Sequence, residues 1–118
     1  MKISELEFHV IAYLAEHPDR EGYGWAITKW LKEQLALKVA LGSVYRKLAA
    51  LWEKGLVERR LGEPHESVAG CERHYYKLNP AGYDAFRMAC QDMKKLMERL
   101  RRSIEGGERG LGVHERVG

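Results

Sequence analysis

The sequence predicts a mainly α fold with one small β-hairpin and a long C-terminal helix, and three observations carry that prediction. From Leu41 to Val57, the residues Val44, Leu48, Leu51 and Trp52 recur at helical spacing, Gly55 closes the helix, and β-favouring residues follow at once. Leu56 to Leu61 and Arg73 to Leu78 then flank a loop rich in Gly, Pro and polar breakers, which reads as a hairpin with its tip. Phe86, Cys90, Met93, Met97, Leu100 and Ile104 are spaced four, three, four, three and four apart, the heptad seam of a coiled coil. With 118 residues, the chain has length for one domain and a real core but little for a second.

Each element has its own signal. Ser4 and Glu7 fit a capping box, and Ile3 and Phe8 are placed for the hydrophobic staple across it, so the first helix runs from about Ser4 to about Glu16. Its apolar residues cover more than one face, which predicts two buried faces, one of them against another subunit. His17-Pro18-Asp19 breaks it. The second helix spans about Tyr23 to Leu35, with Tyr23, Ile27, Trp30, Leu31 and Leu35 inward, and Lys38 to Gly42 is the turn into the third. In the second strand, alternation puts Tyr76 and Leu78 on one face and Arg73, Tyr75 and Lys77 on the other. Asn79-Pro80 starts the last helix, which continues to about Arg102. Residues 105–118, with five glycines, read as a disordered tail. This order of elements is a winged helix-turn-helix over residues 1–79, a dimerisation helix over 80–104, and the tail.

The third helix carries a second pattern between its apolar positions. Ser43, Tyr45, Arg46, Lys47, Ala50 and Lys54 are small, hydroxylic or basic, the chemistry needed to lie against phosphates and base edges. Charge follows the same plan: residues 1–21 hold two bases against five acids, and residues 22–62 hold eight against three. One side of the fold is thus expected to meet a polyanion. A further basic excess in residues 80–102 reads as the solvated face of a helix. Trp25, Trp30 and Trp52 are assigned to the core. Met88, Met93 and Met97 fit either an adaptable effector pocket or plain seam packing.

Other function classes lack residues to rest on. There is no Gly-rich phosphate loop, no nucleophile elbow and no carboxylate pair on a recognisable scaffold, so no catalytic residue is assigned. Cys71 and His74, with Cys90 and His65 elsewhere, do not complete a metal site, and two cysteines make no disulfide framework. No apolar run spans a membrane and no export signal opens the chain, so no membrane partner is expected and the compartment is the cytoplasm.

Gly22-Tyr23, Gly42-Ser43-Val44-Tyr45 with Leu48, Leu51, Gly55, Leu56 and Val57, and Arg73-His74-Tyr75-Tyr76-Lys77-Leu78-Asn79-Pro80-Ala81-Gly82 form three separated blocks in the right order. Through them, residues 3 to about 102 resemble the PadR family of winged-helix transcriptional regulators, in the short form with one C-terminal helix. The resemblance implies a homodimer that binds double-stranded DNA at a near-palindromic operator, acting as a repressor without a cofactor. The DNA contacts it implies are Ser43, Tyr45, Arg46 and Lys47 on the third helix, and Arg59, Arg60, Arg73 and Lys77 on the wing strands. The dimer interface combines Phe8 with Phe86, Cys90, Met93, Met97, Leu100 and Ile104, and a small apolar or aromatic effector would sit against Met93 and Met97. This sequence departs from the family pattern in having Arg46 where many members have proline and Gly24 where many have an acid. Glu63, Glu66 and Glu72 on the wing loop turn attention from its tip to the strands. The alternative function is a winged-helix protein-interaction module without DNA binding.

Overall fold

Ser4 and Glu7 open the first helix in the arrangement their spacing predicts. The computed structural model describes residues 3–18, 21–63 and 73–117, with side chains to residue 106. In α1 (Glu5–Glu16) the Glu7 N–H donates to Ser4 Oγ at 3.2 Å, and the Ser4 N–H donates to the Glu7 carboxylate at 2.7 Å. The helix closes at His17, immediately before Pro18. α2 (Gly24–Leu35) and α3 (Leu41–Glu53) follow, then β1 (Val57–Leu61), β2 (His74–Leu78) and α4 (Pro80–Val117).

The two strands pair antiparallel, with Val57 opposite Leu78 and Leu61 opposite His74. Gly22 adds a bridge to the other edge of β2 at Tyr76, so the hairpin is tied to the entrance of α2. A side chain at residue 22 would run into Leu14 and Tyr13, which is why glycine stands there. Tyr76 and Leu78 are buried as their alternation predicts, and Lys77 on the opposite face is exposed. They join Val10, Ile11 and Leu14 of α1, Ile27 and Leu31 of α2, and Val44, Leu48 and Leu51 of α3 in one core. Full burial of each such aliphatic side chain contributes about 1.5–3 kcal/mol relative to exposure.

Two junctions fix the end of α3 and the start of α4. Gly55, at φ +74°, supplies the left-handed residue that ends α3. The Leu56 N–H donates to Leu51 O and the Gly55 N–H to Trp52 O, both at 3.0 Å, completing a Schellman motif. Asn79 then caps α4: its Oδ1 accepts from the Gly82 N–H at 2.8 Å while its Nδ2 donates to Gly55 O at 2.7 Å. Gly82 lies so close to Leu56 O and Leu78 that a Cβ would overlap both. Asn79-Pro80-Ala81-Gly82 is therefore a strap joining the start of α4 to the end of α3.

The chain forms two compact units, Met1–Arg87 and Met88–Gly118. The first includes the opening turns of α4, where Tyr83, Ala85 and Phe86 pack on the core. In the second, Met93, Met97, Leu100 and Ile104 are exposed in the single chain.

Four expectations need correction. Trp52 is 44% exposed and Trp25 53% exposed, so neither belongs to the core, and only Trp30 packs against it. Trp52 flanks the stripe of Val44, Leu48 and Leu51 and falls at its margin. Leu35, also exposed, is the last residue of α2, where Ala36 turns the chain away in a left-handed conformation. The helical backbone of α4 continues to Val117 in place of the expected tail. Helix formers Glu105, Glu108, Arg109, Glu115 and Arg116 alternate with the glycines there, and each residue added to an existing helix gains a hydrogen bond.

Candidate nucleic-acid interface

The buried stripe of α3 turns its other residues outward. Tyr45 and Arg46 are exposed, Ser43 and Lys47 half-buried, and Arg46 Nη2 donates to Ser43 Oγ at 3.0 Å. The Tyr45 ring lies against Gly24, leaving no room for a Cβ there. Tyr45 is thus neither buried nor loose: its ring rests on the entrance of α2 with 44% of the residue exposed. Ala40 provides no side-chain cap at the start of α3, which is the positive end of the helix dipole.

From Gly24 the surface continues through aromatic rings and cations. Tyr23, the N-cap of α2, meets Tyr75 edge-on with ring centroids 5.5 Å apart, and the Arg73 guanidinium lies 4.1 Å from the Tyr23 centroid. Arg73 also donates to Tyr75 Oη at 3.2 Å. Arg60, across the ladder from Tyr75, lies 4.5 Å over that ring, and its Nε donates to both Glu21 carboxylate oxygens at 2.8 Å. On the other side of Tyr23, Trp25 stacks at 6.5 Å and Lys29 sits 5.1 Å from the indole centroid. Such cation–ring contacts contribute about 0.5–1 kcal/mol each when exposed and hold long side chains in one orientation.

The structure thus brings Tyr45, Arg60 and Arg73 onto one continuous surface through Gly24, Tyr23 and Tyr75. Lys77 is on the same sheet face as Tyr75 and Arg60 by alternation and is exposed. Arg59 is separate: it points to the opposite face and stacks on Trp52 at 3.8 Å. Phe8 and Phe86 pair within one chain, stacked with centroids 5.4 Å apart. Glu66, Glu72, His65 and Cys71 lie outside the described residues, and among those described no group of ligating side chains is arranged for a metal ion. No helix among them is long and apolar enough to cross a membrane.

Among the described residues, the contacts that escape sequence reading include Glu21 on Arg60, Trp52 under Arg59, and Lys54 on Glu7. Lys54 Nζ donates to both Glu7 oxygens at 2.7 and 2.8 Å, joining the end of α3 to the start of α1. Burial pushes the Glu7 carboxyl up, but bonds from Lys54 and Ser4 outweigh it and hold the group below its ordinary value of 4.5. The partners are 39, 7 and 47 positions apart, beyond any local spacing rule.

Residues 10–88 match the model of the transcriptional regulator PadR-like family. No curated protein matches the chain. Among solved structures, a transcriptional regulator from Clostridium thermocellum superposes with a TM-score of 0.70 at 18% identity, over 86% of this chain and 97% of that one. A PadR-like transcription factor from Bacteroides fragilis gives 0.67 at 28% identity, over 82% of this chain and 87% of its own. Bacillus subtilis PadR in complex with operator DNA gives 0.62 at 20% identity, over 74% of this chain and 47% of that one.

Proposed function

The chain belongs to the transcriptional regulator PadR-like family, and on that premise we propose that it is a cytoplasmic, dimeric repressor that binds a near-palindromic operator through α3 and the wing. The observation that carries this reading is the surface running from Tyr45 across Tyr23 to Arg73 and Arg60, which joins an exposed helix face to a cationic strand pair. A helix with Ser43, Arg46 and Lys47 outward has donors for phosphates and for guanine edges in the major groove. The operator complex of the Bacillus subtilis relative supports duplex DNA as the partner.

The exposed Met93, Met97, Leu100 and Ile104 support a second copy of the chain as the other partner, since they form an apolar stripe on a helix otherwise rich in charge. A small apolar or aromatic effector would act at Met93 and Met97 by binding better to a dimer whose recognition helices do not fit the operator. A labelled duplex from the region upstream of the chain's own gene tests the reading. Binding that protects two sites about one helical turn apart supports it, and no binding at low salt leaves the protein-interaction alternative.

A further inference from the structure

Glu21 is an acid bonded into the cationic surface described above, through Arg60, and its place in the chain is fixed. It precedes Gly22, whose backbone is bridged to Tyr76, so it is delivered to the edge of the sheet face that carries Arg60 and Tyr75. Its carboxylate takes the Arg60 Nε–H on both oxygens at 2.8 Å, while the Tyr75 ring supports the guanidinium from below at 4.5 Å. The pair is open to solvent, with 45% of the Arg60 side chain and 34% of the Glu21 side chain exposed. A carboxylate and a phosphate present the same acceptor geometry to a guanidinium, so both compete for one donor edge.

Resting on the DNA-binding reading, we infer that Glu21 is an affinity-setting residue: it stands in for phosphate on Arg60 in the free protein and must yield that guanidinium when the duplex arrives. Three consequences distinguish this from a structural pair. An exposed ion pair is weak, so the exchange is readily reversible and the fold does not depend on it. Each productive encounter exchanges one internal ion pair for one phosphate contact, which lowers affinity on every sequence alike, because phosphate contacts carry no base information. Arg60 also adds less to the salt dependence than a free arginine would, since it enters the complex already neutralised.

The test uses the full chain, a fluorescent duplex of mixed sequence, and anisotropy titrations between about 50 and 200 mM salt. Glu21→Gln is expected to raise affinity about threefold to fivefold and to steepen the salt slope by about one unit. Glu58→Gln removes the same charge from the same sheet face, without a bond to Arg60, and is expected to give a smaller gain. In an Arg60→Ala background the Glu21→Gln gain should fall to the Glu58→Gln level, the non-additivity that marks a direct interaction. Circular dichroism of all variants checks that the fold is retained. The inference is overturned if Glu21→Gln leaves affinity unchanged or weakens it, if Glu58→Gln gives an equal gain, or if the gain survives loss of Arg60. Failure of the wild type to bind the duplex at the lowest salt would overturn the DNA-binding reading itself, and this inference with it.

Discussion

Glu7 serves two helices at once, as the N3 partner of Ser4 in the capping box and as the buried acceptor for Lys54. Its first role is written in a local spacing and its second is not, because Lys54 reaches it only once α1 and α3 have packed. Removing the carboxylate takes a buried acceptor from Lys54, which is itself 31% exposed, so Glu7→Gln is expected to cost about 1–3 kcal/mol, below the toll for a fully buried pair. The folded carboxyl titrates below its unfolded value, so its contribution is complete above pH 4.5 and is lost as pH falls through the lower folded value. Denaturant melts of wild type and Glu7→Gln should therefore converge in acid and differ most at neutral pH. On the DNA-binding face, Arg46→Ala and Lys47→Ala are each expected to flatten the salt slope of duplex binding by about one unit. A slope unchanged in both variants would remove α3 from the phosphate contacts.

At the scale of elements, what is periodic was legible and what lies at a margin was not. The capping box, the stripe of Val44, Leu48 and Leu51, and the alternation of Tyr76 and Leu78 each depend on neighbours within one or two turns, and all are present. Trp52 and Leu35 sit at the edge of a stripe and at the end of a helix, where packing rather than spacing decides exposure. Glycine meaning was equally mixed: Gly55 at a helix end is a local signal, whereas Gly24 and Gly82 are explained only by the Tyr45 ring and the Leu56 carbonyl brought against them. Gly82→Ala drives a methyl group into backbone that cannot retreat, so a loss of about 1–3 kcal/mol is expected, read as a lower thermal midpoint. Equal stability of the two proteins would mean that the strap between α3 and α4 has more slack than its contacts indicate.

For the whole molecule, the heptad positions of α4 raise the question of partner number. Met93→Lys or Leu100→Glu would place an unpaired charge in an apolar seam, and sedimentation should show the wild type dimeric at micromolar concentration and either variant dissociated. A monomeric wild type would refute the assembly. The overall order of helices and strands was readable because each element announces its own ends, but the interface surface was only half readable. Its bases were visible in the sequence, while the acid that holds one of them and the rings that orient others came from distant segments. The Gly22–Tyr76 bridge has a further consequence, for the timing of folding. Its two residues exchange both backbone hydrogen bonds, at 2.7 and 2.8 Å, across 54 positions of chain. Closing so long a loop has an entropic cost that a short hairpin never meets. The bridged edge of β2 closes only when the segment before α2 reaches it, and the Tyr76 amide should trade its proton for deuterium no faster than the core amides of Ile11 and Leu48.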